Sequence, residues 1–197
     1  MFDSLFSGLE RNVPYPGMLL LSGHKYHLEQ EPREVYLILS LDEDVVTAVR
    51  LGVRSEVLVN HVLPEWADGA TAPQVIYIGS EANREYCVAV GTVYSTEDAD
   101  SRPFLARLAH RLVQVDISYP AETVLPELSG LRFFAGFRQW DVRELMNEIV
   151  SDIWYVAPAL ASDVLANGTT DVWADVMRRQ EMPLPLYSTH PRDVNLN

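Results

Sequence analysis

The stretch that decides the fold reads Leu131-Arg132-Phe133-Phe134-Ala135-Gly136-Phe137-Arg138-Gln139-Trp140-Asp141 and continues to Trp154. Residues 131–137 are rich in aromatic side chains, which favours a β-strand. Residues 141–150 predict a helix, because Asp141 is a good N-cap and apolar residues recur at helical spacing at Val142, Leu145, Met146 and Ile149. Residues 153–156 return to an extended pattern. The sequence here predicts a strand, a helix and a second strand with short connections.

Short apolar runs predict further strands along the rest of the chain, at 18–21, 35–39, 45–53, 75–78, 86–93 and 112–117. The fourth and fifth of these flank a turn and predict a β-hairpin. Helical spacing predicts short helices at 55–63, 103–110, 120–128, 162–167 and 170–177. Since strands and helices alternate irregularly, the pattern favours the α+β class.

The chain has 197 residues, without internal repeats or a break in composition, and this favours one domain. Residues 1–16 are predicted to be an N-terminal arm, which Pro14 and Pro16 close. The domain is predicted to span residues 17–180. Residues 181–197 are predicted to be an extended tail because of Pro183, Pro185 and Pro191.

The protein is strongly acidic, with 28 acidic residues against 15 basic ones and a formal charge of −13. Such a charge repels the phosphates of nucleic acids, so binding to DNA or RNA is not expected. The longest apolar runs are too short to cross a membrane as a helix. The N-terminal residues lack the hydrophobic region of a signal peptide. We therefore expect a cytoplasmic protein.

Cys87 is the single cysteine, so an internal disulfide and a cysteine-rich metal cluster are both excluded. Because Cys87 lies within an apolar run, we expect it to be a small buried side chain. A second possible metal motif places His24 and His27 before Glu29 and Glu31. The preferred interpretation is a solvated loop, since a zinc site needs further ligands. The sequence thus predicts no metal site.

Motifs for the common catalytic and cofactor sites are missing from the sequence. No glycine-rich phosphate loop, GxSxG nucleophile elbow or HExxH motif occurs. No cofactor is predicted, and the absence of these motifs weakens an enzymatic interpretation. Arg107 and Arg111 belong to the densest basic group and would share one face of a helix at 103–110 and just beyond. This pair is a candidate anion site, although pairing with the chain's own carboxylates is the alternative.

The residues of the deciding stretch resemble the signature of the bacterial YqgE/AlgH family. That signature is an aromatic strand, a Gly-Tyr-x-Gly-Trp segment, a helix with Gln-Leu-x-x-Glu, a later Trp and then Pro-Ala. The matching positions are Gly136, Trp140, Leu145, Glu148, Trp154, Pro158, Ala159 and, in the last helix, Trp173. Gln139 and Glu144 differ from the family pattern.

The resemblance implies a single α+β domain with a bent mixed or antiparallel sheet that closes toward a pseudo-barrel with flanking helices. It also implies a cytosolic bacterial protein from a family without established catalysis, one member of which is labelled a regulator. Because similar folds carry different functions, we expect the fold to transfer more readily than that regulatory label.

The signature residues have a structural and a functional interpretation. Structurally, Trp140 and Trp154 bury their rings, Gly136 permits close packing, and Glu148 bonds backbone amides or Arg132. Functionally, they line a cleft that binds a ligand or provides an acid and a base. The candidate binding residues are Arg132, Gly136, Trp140, Glu144, Glu148 and Trp154.

Three functions remain open from the sequence. The first is a non-enzymatic binding or regulatory module that acts through contacts with a protein partner. The second is an enzyme or small-molecule binder that uses the region of Trp140, Glu144 and Glu148. The third is a transcriptional regulator that binds DNA, which the acidic charge disfavours.

Overall fold

The computed structural model describes residues 13–23, 33–96 and 99–189. Their strands form two sheets. The five-stranded sheet has the order β10-β3-β2-β1-β11, with every neighbouring pair antiparallel. Its strands are β1 (Met18–Ser22), β2 (Val35–Leu41), β3 (Val45–Arg50), β10 (Arg138–Asp141) and β11 (Trp154–Pro158).

The six-stranded sheet has the order β4-β5-β9-β6-β8-β7. Only the β5–β9 pair is parallel. The strands are β4 (Arg54–Leu58), β5 (Val75–Ile78), β6 (Cys87–Val93), β7 (Leu105–Arg107), β8 (Leu112–Val115) and β9 (Leu128–Ala135). β9 lies inside this sheet because its apolar residues supply both faces: Phe134 packs in one core, and Leu131 and Phe133 pack in another.

Six short α-helices surround the sheets in the described part of the chain: α1 (Val59–Val62), α2 (Ala121–Val124), α3 (Val142–Val150), α4 (Ala161–Val164), α5 (Val172–Arg178) and α6 (Leu184–Tyr187). Three 3-10 helices span Pro64–Gly69, Ala99–Ser101 and Leu125–Glu127. The helix α3 is the longest of these elements. All of them, including α3 with nine residues, are too short to be stable in isolation, so tertiary packing must stabilise them.

Three apolar clusters hold these layers together. The central cluster joins the two sheets, with Leu19 and Leu37 from one and Val90 and Phe134 from the other. A second cluster lies between the outer face of the six-stranded sheet and the short helices around Trp66 and Val124. A third lies between the outer face of the five-stranded sheet and α3. The molecule is therefore one mixed α+β domain, as the sequence predicted, with two packed sheets in place of a single sheet that closes on itself.

The predicted hairpin of residues 75–78 and 86–93 is wrong, although both strands form. β9 lies between β5 and β6 and pairs with each of them. The cause is the aromatic character of β9, which needs apolar neighbours on both faces and thus takes an interior position. Local turn residues did not reveal this long-range pairing.

Two predicted helices are also wrong. Residues 54–58 form the strand β4, where the Ser55 hydroxyl donates to the Ile76 carbonyl, and only residues 59–62 are helical. Residues 105–107 form the strand β7, which pairs antiparallel with β8. In both places pairing with a neighbouring strand outweighed a weak helical spacing.

The end of the described chain and Cys87 also depart from expectation. Residues 184–187 form α6 instead of an extended tail, and Leu184 is buried in the central cluster. The ring of Tyr187 stacks on Tyr155 at 6.5 Å. Cys87 is exposed at the first position of β6, so its predicted burial is wrong. Residues 1–12, 24–32 and 190–197 lie outside the described residues, and with them most of the N-terminal arm and the motif from His24 to Glu31.

Candidate functional site

The chain crosses from one sheet to the other at Gly136. β9 belongs to the six-stranded sheet and β10 to the five-stranded sheet, and Gly136 connects them with φ at 79°. A β-carbon on Gly136 would lie 2.5 Å from the carbonyl oxygen of Ala82 and 2.7 Å from that of Ser80. Glycine is required at position 136 for two reasons: the backbone is left-handed, and the loop at residues 80–82 approaches closely.

Trp140 and Trp154 pack inside the protein with Tyr36. The three rings contact one another edge to face, with centroid distances of 5.2 Å, 5.7 Å and 6.1 Å. The guanidinium of Arg138 lies 4.3 Å from the centre of the Trp140 ring, a cation–π contact. Trp140 is 5% exposed and Trp154 is 1% exposed. The indoles therefore serve as core residues, in agreement with the structural interpretation of the signature.

Carboxylates fix the helix α3 near both ends, and one of them joins it to this aromatic cluster. The Asp141 carboxylate caps its first turn and accepts from the backbone amides of Arg143 and Glu144, at 2.8 Å and 3.2 Å. Near the other end, the Glu148 carboxylate accepts a hydrogen bond from Trp154 Nε1 at 2.9 Å. The predicted partners of Glu148, Arg132 or backbone amides, are therefore wrong.

Arg132 lies away from the other signature residues. It points between the two sheets, 3% exposed, and its guanidinium donates to the carbonyls of Ala72, Leu165 and Ala166. The last two carbonyls follow the end of α4, so Arg132 satisfies acceptors that this helix leaves open. The expected cleft that joins Arg132 to Glu144 and Glu148 is not formed.

A shallow surface groove runs along α3, with a volume of about 680 Å³. Its lining residues are Asp141, Arg143, Glu144, Asn147, Glu148, Ser151 and Ile153. Three of them are carboxylates and one is an arginine, so the groove carries a net negative charge. The structure brings together Glu144 and Glu148 here, one helical turn apart, whereas Trp140 and Trp154 lie beneath the helix.

Arg107 and Arg111 do not form a shared helical face, because residues 105–107 are a strand. Arg107 pairs with Asp100 at 2.6 Å and donates to the Thr96 carbonyl at 2.8 Å. Arg111 donates to the Val93 carbonyl at 2.9 Å and 2.7 Å. These two arginines are thus engaged by the chain itself, which was the alternative to an anion site.

A polar cluster around Tyr36 was missed by the sequence reasoning. Glu34 is buried beside it and forms an ion pair with Arg50 at 3.2 Å, and Arg50 lies opposite Tyr36 on β3. Burial, followed by the charge of Glu34, raises the pKa of Tyr36, while a hydrogen bond with Arg138 opposes the shift. The sequence offered one signal for this cluster, the acidic residue Glu34 directly before the apolar strand β2.

Among residues 13–23, 33–96 and 99–189, no group of three or more histidine, cysteine or acidic side chains is arranged to hold a metal ion. The carboxylates of the groove are therefore spread along α3 and do not converge on one point. No helix in the described part is long and apolar enough to span a bilayer.

The chain matches a protein family over a much longer segment than the signature residues. A model of the family described as AlgH-like matches residues 23–185. The chain belongs to the AlgH-like family. It is 44% identical to a UPF0301 protein of Corynebacterium efficiens over 195 residues, which cover 99% of this chain and 97% of that one. It is 36% identical to a UPF0301 protein of Mycobacterium leprae, with 92% of this chain and 90% of that one covered.

Two solved structures share the fold. The crystal structure of a Corynebacterium diphtheriae protein superposes with a TM-score of 0.89 at 46% identity and covers 96% of this chain and 100% of its own. The solution structure of AlgH from Pseudomonas aeruginosa superposes with a TM-score of 0.64 at 12% identity, with 93% and 98% covered. At that low identity the second likeness concerns the fold alone.

Proposed function

We propose that this AlgH-like chain is a non-enzymatic binding module that acts through protein contacts, and that the groove along α3 receives a basic segment of its partner. The observation that supports this proposal is the chemistry of the groove. It is open and shallow, and among the described residues the carboxylates of Asp141, Glu144 and Glu148 line it together with the guanidinium of Arg143. An extended basic segment complements such a surface.

The buried signature residues support the groove from below. Trp140 and Trp154 fill the space between α3 and the five-stranded sheet, and Leu145 and Ile149 pack against them from the helix. The Asp141 cap and the bond from Trp154 to Glu148 fix the helix at its two ends. A docking surface that is rigid before binding loses little conformational entropy on association. The module is proposed to work in the cytoplasm, in keeping with its single cysteine.

The test is site-specific photo-crosslinking in living bacteria. A benzoylphenylalanine is placed at Asn147, which is exposed within the groove, or at Glu122, which is exposed on α2 beyond the opposite sheet. We expect a discrete adduct from position 147 alone, with a cross-linked segment rich in lysine and arginine. In the protein with benzoylphenylalanine at position 147, Glu144→Lys should weaken the adduct because it reverses one charge of the groove. Glu122→Lys in the same protein should leave the adduct unchanged. The same adduct from both positions, or an acidic cross-linked segment, would contradict the proposal.

A second candidate is a small-molecule binder or an enzyme in the same region. It is favoured by one observation, the presence of Glu144 and Glu148 on one side of α3 within the groove. A thermal-shift screen of metabolites, nucleotides and metals tests it, since a ligand of the native state raises the melting temperature. For this candidate, Glu148→Gln should remove the shift, whereas Glu122→Gln should retain it. A ligand whose shift survives Glu148→Gln would point to a different site.

A further inference from the structure

Among the residues that the structure describes, Arg132 is a buried cation without a carboxylate partner. It is 3% exposed in the space between the two sheets. None of the ion pairs among the described residues includes it. Three backbone carbonyls accept from its two terminal nitrogens, but a carbonyl supplies a dipole and no net charge. Burial lowers the pKa of this guanidinium, in accord with an environment that disfavours the positive form.

Two hydrogen-bond donors at this place have no acceptor within the described part of the chain. The Nε atom of Arg132 and the hydroxyl of Tyr77 are both buried, and neither bonds to a group of the described residues. Tyr77 is fully buried, and the guanidinium of Arg132 lies 4.2 Å from the centre of its ring. The two orphaned donors thus belong to side chains in direct contact. An unsatisfied buried polar group is destabilising, so a pair of them needs an explanation.

The surroundings favour an acceptor that carries charge and has no hydrogens of its own. Val90 lies opposite Arg132 across the β6–β9 pair, and Phe134 lies opposite Tyr77 across the β5–β9 pair. Both belong to the central apolar cluster. A water molecule would accept from one or two of these donors, but it would leave the buried charge of Arg132 uncompensated. A small monovalent anion accepts from both donors and also compensates the buried charge.

We propose that Arg132 and Tyr77 form an internal binding site for a small monovalent anion of halide size, held by Arg132 Nε and the Tyr77 hydroxyl. The site lies between the sheets and is separate from the groove on α3, which belongs to the outer face of the five-stranded sheet. The anion links the strands β5 and β9 with the segment after α4, whose carbonyls the same guanidinium binds. Its role is to stabilise the attachment of the segment after α4 to the six-stranded sheet.

The first test compares urea unfolding in sodium chloride and in sodium gluconate at equal ionic strength. Chloride is expected to raise the unfolding midpoint, and above its dissociation constant each tenfold rise in chloride should raise the folding constant up to tenfold. Tyr77→Phe keeps the ring and removes the hydroxyl donor, so the chloride dependence should fall sharply. Tyr86→Phe changes an exposed tyrosine and is the matched control, with the dependence retained. Equal midpoints in the two salts, or a chloride effect that Tyr77→Phe leaves intact, would overturn the site.

The second test does not depend on how well a variant folds. Crystals of the unaltered protein are soaked in sodium bromide, and the anomalous signal of bromide is measured. The expected result is a peak within hydrogen-bond distance of Arg132 Nε and the Tyr77 hydroxyl. A water molecule without anomalous signal, or no peak at this position, refutes the anion. Either result leaves the groove proposal unaffected, because the photo-crosslinking test reports on a different surface.

Discussion

Gly136→Ala is expected to be among the most destabilising single-methyl additions to this protein. The glycine has φ at 79°, and an L-residue in the left-handed region costs roughly 1–2 kcal/mol. The new β-carbon would also lie 2.5 Å from the Ala82 carbonyl oxygen and 2.7 Å from that of Ser80. These are backbone atoms, so the loop itself has to shift, and overpacking of this kind costs about 1–3 kcal/mol. The sum is about 2–5 kcal/mol.

Gly52→Ala separates the two contributions. Gly52 has φ at 84°, close to that of Gly136, but a β-carbon there would meet nothing within 4 Å. Gly52→Ala should therefore lower the free energy of unfolding only by the cost of the left-handed backbone, roughly 1–2 kcal/mol. The measurement is urea unfolding of both variants, with the slope against urea checked for constancy so that the midpoints report stability. If Gly136→Ala were no more destabilising than Gly52→Ala, the close contact with the loop at residues 80–82 would carry no energy and the reasoning would fail.

Three further predictions concern individual side chains and their hydrogen bonds. A double-mutant cycle of Glu148→Ala and Trp154→Phe should give a coupling of about 1 kcal/mol in urea unfolding, because each change removes the same bond; additive effects would contradict it. Asp141→Ala should cost about 1 kcal/mol through loss of the N-cap of α3, and a smaller loss than from Glu122→Ala would argue against the cap. Hydrogen bonds from Ser118 lower the pKa of Asp116 below its ordinary 3.8, so its stabilising effect is present above that pH and is lost as the pH falls through the folded value. Asp116→Asn should accordingly flatten the decline of stability in acid below pH 3.8, measured by thermal unfolding; an unchanged acid limb would contradict the assignment.

The outcome at α3 shows which parts of the candidate site the sequence predicted well. The helix, its Asp141 cap and its buried residues Leu145 and Ile149 all follow from neighbours within one or two turns. The burial of Trp140 and Trp154 was likewise expected from their size and apolar character. Such features depend on local spacing and on hydrophobicity, and a single sequence displays both.

The parts that failed involve partners distant in the chain. Arg132 and Glu148 are only 16 positions apart, yet Arg132 lies in the six-stranded sheet and Glu148 lies on α3, which packs against the five-stranded sheet. The chain changes sheet between them, at Gly136. The polar cluster of Glu34 and Arg50 arises from the pairing of β2 with β3, which places Arg50 opposite Tyr36. No local sequence pattern predicts which carboxylate will form an ion pair with a given arginine.

The sequence by itself determined the α+β class, the single domain, the strand-and-helix unit at residues 131–156 and the resemblance that led to the AlgH-like family. Hydrophobic periodicity, helix capping and aromatic content act over a few residues, so the sequence alone reveals them. Tertiary structure alone decided that β9 separates β5 from β6, that residues 105–107 are a strand and that Arg132 is buried beside Tyr77. The physical reason is that strand order and the partners of buried charges minimise the free energy of the whole chain, in which long-range burial outweighs local propensity.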